Sequence, residues 1–443
     1  MSKTFRAWEV GQIHLLPPSV QDFVGEDHVA HLVRDLVRDE LDLSAFYARY
    51  RPGRGQPPYH PAMVVALLLY AYSRGVYSSR RIERACVERV DFMAVTGLAK
   101  PDHDTICTFR NEHRAALREL FVQVLQLCRD AGLAKLGHVA LDGSKVKANA
   151  SKHKAMSYKR MKDKEPALAA EVEKWLKTAQ AEDQREADHG RDDEDPPAHV
   201  REKIKQLARI RASQARIEAQ ARETAERLAA ERAAKERRTG HKVSGVRPKA
   251  LDGIPADKAQ SNFTDPESRI MKTAGGYEQA YNCQVAVDAA SQVIVAQAAS
   301  NHHNDVGEMI PALDGIAAVL GNLPKQFSAD SGYCSEANLA DLERRGIDAY
   351  VATGRQRHGD ASPTSPTRFS QGPRAQAMRD KLRAGGYESP YRLRKQTAEP
   401  VFGQIKEARG FRRFLTRGLD KIRTEWSLLC TVHNLLKLAA TRG

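Results

Sequence analysis

The chain has 443 residues, 41% of them hydrophobic, enough for two or three domains each with its own core. Seventy Lys plus Arg against 56 Asp plus Glu leave a formal charge of +14, which favours a polyanionic partner. Six cysteines with no CxxC pair argue against a zinc site and against a disulfide framework, and identify reduced core thiols instead.

The N-terminal stretch MSKTFRAWEVGQIHLLPP is interrupted by charges and prolines before any apolar core of signal-peptide length. The most apolar run, Ala62 to Tyr72, is too short to span a bilayer. A cytoplasmic protein without membrane association is expected. From about Gly25 to Tyr47, Val29, Leu32, Val33, Leu36 and Val37 recur at helical spacing and mark a packed helix, with Asp27 available as a cap. A rigid basic loop, RPGRGQPPYHPAM, then leads to Pro61, which can start a helix through Arg74. After a Gly-Val-Tyr-Ser-Ser turn, Ser78 or Ser79 caps a third helix through Arg80 to Glu88, and the pair resembles a helix-turn-helix. Asp104 or Thr105 caps the next one or two helices, which end near Gly132. Arg74, Arg80, Arg81, Arg84, Arg110 and Arg114 lie on these helices or at their ends, as either solvated faces or a DNA-contacting surface.

From Ala150 to about Gln260 the composition turns to Ala, Glu, Lys, Arg and Gln. Leu168, Val172, Trp175 and Leu176 fall on one helical face; beyond the acidic break DDEDPP, Ile204, Leu207, Ile210, Ile217 and Leu228 mark a second, longer helix. Two antiparallel helices forming an arm are expected here, most simply as a spacer. A strand at RIMKT and a hairpin turning at Asp288 to Gln292 come next. Further along lie a helix capped by Asn304 or Asp305, a strand at FSAD, a helix from Glu336 to Arg344 and a strand at AYVAT. The segment Gly354 to Pro373 reads as a loop, and helices return from Arg374. The expected division is a helical domain over 1–132, a catalytic α/β domain over 133–150 and 260–443, and a helical insertion over 151–259.

Three acids stand where metal ligands belong. Asp142 and Asp330 each come directly after a short apolar run that reads as a buried strand, and Glu399 lies in a helix crowded with Lys and Arg. With the arm taken as an insertion, one hairpin and one helix separate the two strands, and a right-handed crossover makes them neighbours. Each acid alone is equally well a cap or a surface charge. Together with Tyr391, Arg394 and Lys395 ahead of Glu399, and Lys406 two helical turns beyond it, they pair carboxylates for metal with cations for phosphate. Three acids plus substrate oxygens suffice for Mg²⁺, and two ions about 4 Å apart can activate a water or a 3′-hydroxyl for displacement at phosphorus.

Several long blocks carry a family resemblance: PPYHPAMVVALLLYAYSRGVYSSRRIE, ALDGSKVKANAS, DPESRIMKTAGGYEQAYNCQVAVD, the NDV of HHNDVGEMIPAL, ADSGYCSEANL, and RKQTAEPVFGQIKEARGFRRFLTRGLDKIRTEWSLLCTVHNLLKL. In these the chain strongly resembles bacterial insertion-sequence transposases of the DDE type, over nearly its whole length. The resemblance implies a ribonuclease H-like α/β fold: a mixed five-stranded sheet with flanking helices, joined to an N-terminal all-α DNA-binding domain and an inserted helical arm. It implies Asp142, Asp330 and Glu399 as catalytic and metal-binding residues, and two Mg²⁺ ions for which Mn²⁺ can substitute. Tyr391, Lys395 and Lys406 match the residues that accompany the glutamate in such enzymes; the tyrosine spacing is loose, and Arg394 competes with Lys395. Asp265, Asp288 and Asp305 also lie in family-like blocks, where a structural role is the simplest, and Asp265 has some claim as a neighbour of the metal site.

The implied partner is double-stranded DNA, both element ends and target, bound by a multimer that brings two ends together. End recognition falls to the N-terminal helices with Arg80, Arg81 and Arg84. Phosphate contacts near the cut fall to Arg409, Arg412, Arg413, Arg417 and Lys421. Two other readings stay open: a nuclease of the same fold that does not join strands, and a DNA-binding derivative without catalysis.

Overall fold

A computed structural model describes residues 19–50, 57–186, 197–242, 249–273, 275–355, 362–365 and 371–442. The basic loop RPGRGQ, most of the acidic break, the N-terminal stretch and much of the Gly354 to Pro373 loop lie outside the described residues.

Helices come first: α1 (Val29–Asp39), α2 (Ser44–Tyr47), α3 (Pro61–Ser73), α4 (Ser79–Glu88), α5 (Val90–Thr96), α6 (His103–Glu112) and α7 (Arg114–Asp130). Pro61 opens α3 as expected, its fixed φ and missing N–H costing nothing at a first helical position. The first helix ends at Asp39, with the expected remainder to Tyr47 broken into the separate α2, and Ser78 stands at the start of α4 without a side-chain cap bond. Two further caps are displaced. His28, not Asp27, accepts from Ala30 N–H at the start of α1, and Asp102, not Asp104 or Thr105, accepts from Thr105 N–H at the start of α6. The apolar period marks the buried face of each helix but not the residue at which helical backbone begins.

The sheet and its attachments come after them: β1 (His138–Lys147), β2 (Ala155–Ser157), α8 (Tyr158–Glu186), α9 (Ala198–Thr239), β3 (Gln260–Asn262), β4 (Arg269–Thr273), β5 (Gly276–Asp288), β6 (Ile294–Ser300), α10 (Met309–Leu320), β7 (Gln326–Ala329), α11 (Glu336–Arg344) and β8 (Asp348–Val351). Helices α12 (Pro373–Gly385), α13 (Leu393–Gly403) and α14 (Leu419–Arg442) complete the chain, with a π-helical turn over Gln404–Ala408 continuing α13. The sheet is mixed. Its order is β4-β5-β1-β7-β8, with β6 also paired to β5, so among the described residues it has six strands rather than the expected five. The thirteen-residue β5 is long enough to hold β4 at one end and β6 at the other along the same edge. β1 runs antiparallel to β5 and parallel to β7, with α10 in the crossover between β6 and β7. Among the described residues no helix is long and apolar enough to cross a membrane.

One hydrophobic cluster extends from Val24 through the N-terminal helices and the sheet to Leu438. Helix α14 joins the two regions: Trp426 is fully buried and stacked on Phe402 of α13 at 6.2 Å, while Cys128 of α7 lies against the carbonyl of Asn434. The arm helices α8 and α9 carry their own cluster, in which Met161, Leu168, Val172, Leu207, Ile210 and Ile217 meet. Leu176, expected on the same face, is 44% exposed.

The turn before α4 is docked onto the C-terminal region. Gly75 has φ +70° and a Cβ built there would lie 2.8 Å from the carbonyl oxygen of Arg409, which also accepts from the Tyr77 hydroxyl at 2.8 Å. Gly75→Ala therefore combines left-handed strain with a backbone clash and is expected to lower unfolding free energy by about 2 kcal/mol, measured by urea denaturation. An unchanged midpoint would mean that this contact is not maintained.

Candidate active site

Asp142 does not end a strand. β1 continues five residues beyond it to Lys147, so the acid sits in mid-strand, on the same face as Ser144, while Gly143 and Lys145 project from the other. The parallel register pairs Leu141 with Ala329, so Asp330, the next residue after β7, is level with Asp142 across the adjacent strand. Asp330 also caps a short 3₁₀ turn, its Oδ1 accepting from Gly332 N–H at 2.8 Å. A cap and a site acid coincide in one side chain.

Glu399 approaches from α13, which packs on β1. Its side chain stays 53% exposed, whereas those of Asp142 and Arg394 keep only 15% and 11%. Arg394 draws the acids together: Nη1 lies 3.2 Å from Asp142 Oδ1 and Nη2 lies 3.8 Å from Glu399 Oε1. Sequence spacing leaves Arg394 and Lys395 as alternatives; Arg394 is the inward one and Lys395 is exposed. Tyr391 lies beside Arg394, with the guanidinium 5.9 Å from the ring centre, and burial raises its phenol above the ordinary range. Lys406, on the π turn, donates to Ser144 Oγ and to the carbonyl of Lys145 at 3.2 Å. It therefore faces β1, and burial lowers its pKa.

Electrostatically the acids are under load. Burial, opposed by Arg394 and reinforced by Asp330, pushes the Asp142 carboxyl up to about 6. Burial likewise raises Asp330, with its backbone hydrogen bond from Gly332 and Arg394 opposing and Asp305 adding to it. An oxygen-only set of three carboxylates, two of them largely buried, suits a hard divalent cation in its chemistry. As it stands, among the described residues no group of three or more His, Cys, Asp or Glu is arranged to hold a metal ion. The cation that bridges Asp142 and Glu399 is the guanidinium of Arg394.

The remaining basic residues divide. Arg80, Arg81 and Arg84 are exposed on α4, as are Arg412 and Arg413 beside the end of β1, where residue 413 pairs with Lys147 and Phe414 N–H donates to the Lys147 carbonyl. Arg409 points inward instead. It donates to the carbonyl of Gln404 and approaches His433, and burial lowers its pKa, so its side chain packs rather than presents charge. Arg110 is likewise committed inward, to Tyr72, Tyr77 and Ser79, whereas Arg114 pairs at the surface with Asp420 and donates to the carbonyl of Asn111.

Asp265 and Asp288 have structural partners: the Tyr281 hydroxyl and Gly418 N–H for the first, the N–H groups of Leu136 and Ala290 for the second. Asp305 does not cap its helix with its side chain. Its Oδ1 accepts from Lys145 Nζ at 2.9 Å, Asn282 Nδ2 at 2.6 Å and Gln284 Nε2 at 2.8 Å, a cluster that spacing does not reveal. One signal for it is present in the sequence: Asn282 and Gln284 are polar residues two apart in a strand otherwise largely buried and apolar, where unpaired amides would be costly.

Comparison with known families gives two matches. Residues 18–112 match a family described as transposase domain (DUF772), and residues 248–435 match one described as transposase DDE domain. The second match contains Asp330 and Glu399, while Asp142 precedes it. No curated protein and no solved structure matches the chain.

Proposed function

This chain belongs to the insertion-sequence transposases of the DDE type, and on that premise we propose that it binds the terminal repeats of its element, cleaves DNA there and joins the freed 3′ end to target DNA. The observation that carries this reading is the meeting of Asp142, Arg394 and Glu399, brought from β1 and α13, next to Asp330 at the end of β7. The mixed sheet, in which β1 has an antiparallel and a parallel neighbour, supports a ribonuclease H-like catalytic region. Asp142, Asp330 and Glu399 would hold Mg²⁺ or Mn²⁺, which when bound supplies Lewis-acid charge for attack at phosphorus.

The chain's own groups have separable parts in this. Strand pairing fixes the backbone of Asp142, and Asp330 is held at the end of β7 by the turn it caps; Glu399, half-exposed at the mouth, is the acid free to adjust. Arg394 balances the carboxylates and Tyr391 lines the same side. Lys406 holds α13 to β1 through Ser144, and the exposed Arg412 and Arg413 would contact the phosphate backbone. Two copies on DNA would bring two ends together.

A labelled duplex carrying one end of the element, incubated with Mg²⁺ and a target plasmid, tests the assignment. Joined products are expected; cleavage without joining would favour the nuclease reading, and neither product would favour the silent DNA-binding derivative. The exposed arginines of α4 give a second test. Replacing Arg80, Arg81 and Arg84 singly by Ala should each reduce the slope of log affinity against log salt by about 1. A slope unchanged in all three would remove α4 from the DNA interface.

A further inference from the structure

Asp305 is the acceptor in a part-buried cluster of hydrogen bonds. Three donors from two strands converge on one of its oxygens: Lys145 from β1, and Asn282 and Gln284 from β5. Gln284 also donates to Asn282 Oδ1 at 3.0 Å, and its own carbonyl oxygen accepts from the Tyr333 hydroxyl. Tyr333 is the last residue of the turn that Asp330 caps. The sheet makes room for this: Gly143 is opposite Gln284 in the register, and a Cβ at 143 would lie 2.5 Å from Gln284 Nε2. The other oxygen of Asp305 lies beside Gly332, in the turn that Asp330 caps. A Cβ built on Gly332 would lie 3.0 Å from Asp330 Oδ1 and 3.3 Å from Asp305 Oδ2, so the two carboxylates flank one glycine.

We propose that Asp305 is a positioning residue for the acid site: its carboxylate locks the Asp330 turn to β1 and β5 and keeps a second negative charge behind Asp330. This rests on the metal-site reading of Asp142, Asp330 and Glu399 given above. A purely structural role is the competing explanation, and the two differ in what an asparagine can replace. The amide oxygen of Asp305→Asn would still accept all three donors, keeping the hydrogen-bond pattern, but the variant would lose the ion pair with Lys145 and present an uncharged group to Asp330. Partners that orient metal ligands typically contribute a factor of about 10 to 100 in metal affinity, whereas an intact scaffold contributes none when its isostere is substituted.

The test is Mn²⁺ affinity of the full chain without DNA, read by electron paramagnetic resonance, with thermal unfolding of each metal-free variant alongside. Asp305→Asn is expected to fold, with an unfolding temperature lowered by loss of the Lys145 ion pair, and to bind Mn²⁺ about 10-fold more weakly, and Asp305→Ala weaker still. Should Asp305→Ala fail to fold, Asp305→Asn alone decides. Mn²⁺ affinity of Asp305→Asn within about twofold of the parent overturns the proposal and leaves Asp305 a scaffold residue. Asp142→Asn serves as the reference: if it too binds Mn²⁺ like the parent, the metal-site reading itself fails, whereas if it alone loses affinity only the role of Asp305 is refuted.

Discussion

Asp142→Asn is expected to reduce strand cleavage at least about 10³-fold while making the metal-free protein more stable, not less. The loss of activity comes from removing one of three carboxylates that would hold the cation. A cation contributes several kcal/mol to charge stabilisation at phosphorus, and each 1.36 kcal/mol is tenfold in rate. The gain in stability comes from burial. A carboxyl held at about 6 against an ordinary 3.8 disfavours its charged form by roughly 3 kcal/mol.

The sign of the pH dependence is fixed by the same shift. Between 3.8 and about 6 the folded protein binds the proton and the unfolded chain does not, so the contribution of Asp142 to stability falls as pH rises through that window and is wholly unfavourable above it. Urea denaturation in EDTA should therefore show Asp142→Asn ahead of the parent by about 1 to 3 kcal/mol at pH 8, with the two converging toward pH 4. Added Mg²⁺ should stabilise the parent, by about 2.7 kcal/mol at a hundred times its dissociation constant, and leave the variant unmoved. A variant less stable than the parent at pH 8 would mean that pairing with Arg394 outweighs burial.

Arg394→Gln is the second large effect. Its guanidinium is the buried cation within reach of both Asp142 and Glu399, and removing one partner of a buried pair leaves the other charged and unpaired, at a cost of about 3 to 5 kcal/mol. The cost should be greatest in EDTA at neutral or higher pH. It should shrink at pH 5, where Asp142 takes up a proton, and shrink again with Mg²⁺, which would supply the missing positive charge. Arg394→Lys should recover little, because a single ammonium on a flexible stem cannot span two carboxylates as a planar fork does. A loss equal at pH 5 and pH 8, and insensitive to Mg²⁺, would show that the side chain contributes packing alone.

Much of the chain is legible without a structure because the signals are local. The apolar period of Val29 to Val37, Pro61 at a helix start and the hairpin at Asp288 each depend on a few neighbouring residues, and each appears where expected. The two caps are displaced by one to three positions because a cap depends on where the helix begins, which periodicity does not fix. The end of β1 is displaced for a different reason. Gly143, Ser144 and Lys145 look like a polar exit from a strand, yet nine residues of β1 pair with β5, and Gln284 fills the space above Gly143.

Residue type and short spacing point to a kind of chemistry: carboxylates beside apolar strands or on a basic helix, and a charge balance that favours a polyanion. The partners of those acids belong to the folded chain alone. Packing turned Arg394 inward and left Lys395 outside, aimed Lys406 at Ser144, withdrew Arg409 from the surface and gave Asp305 three donors from two strands. Most of those choices depend on contacts between residues far apart in the chain, set by strand register and by the way α13 lies across β1, and no pattern confined to a few neighbouring residues contains them.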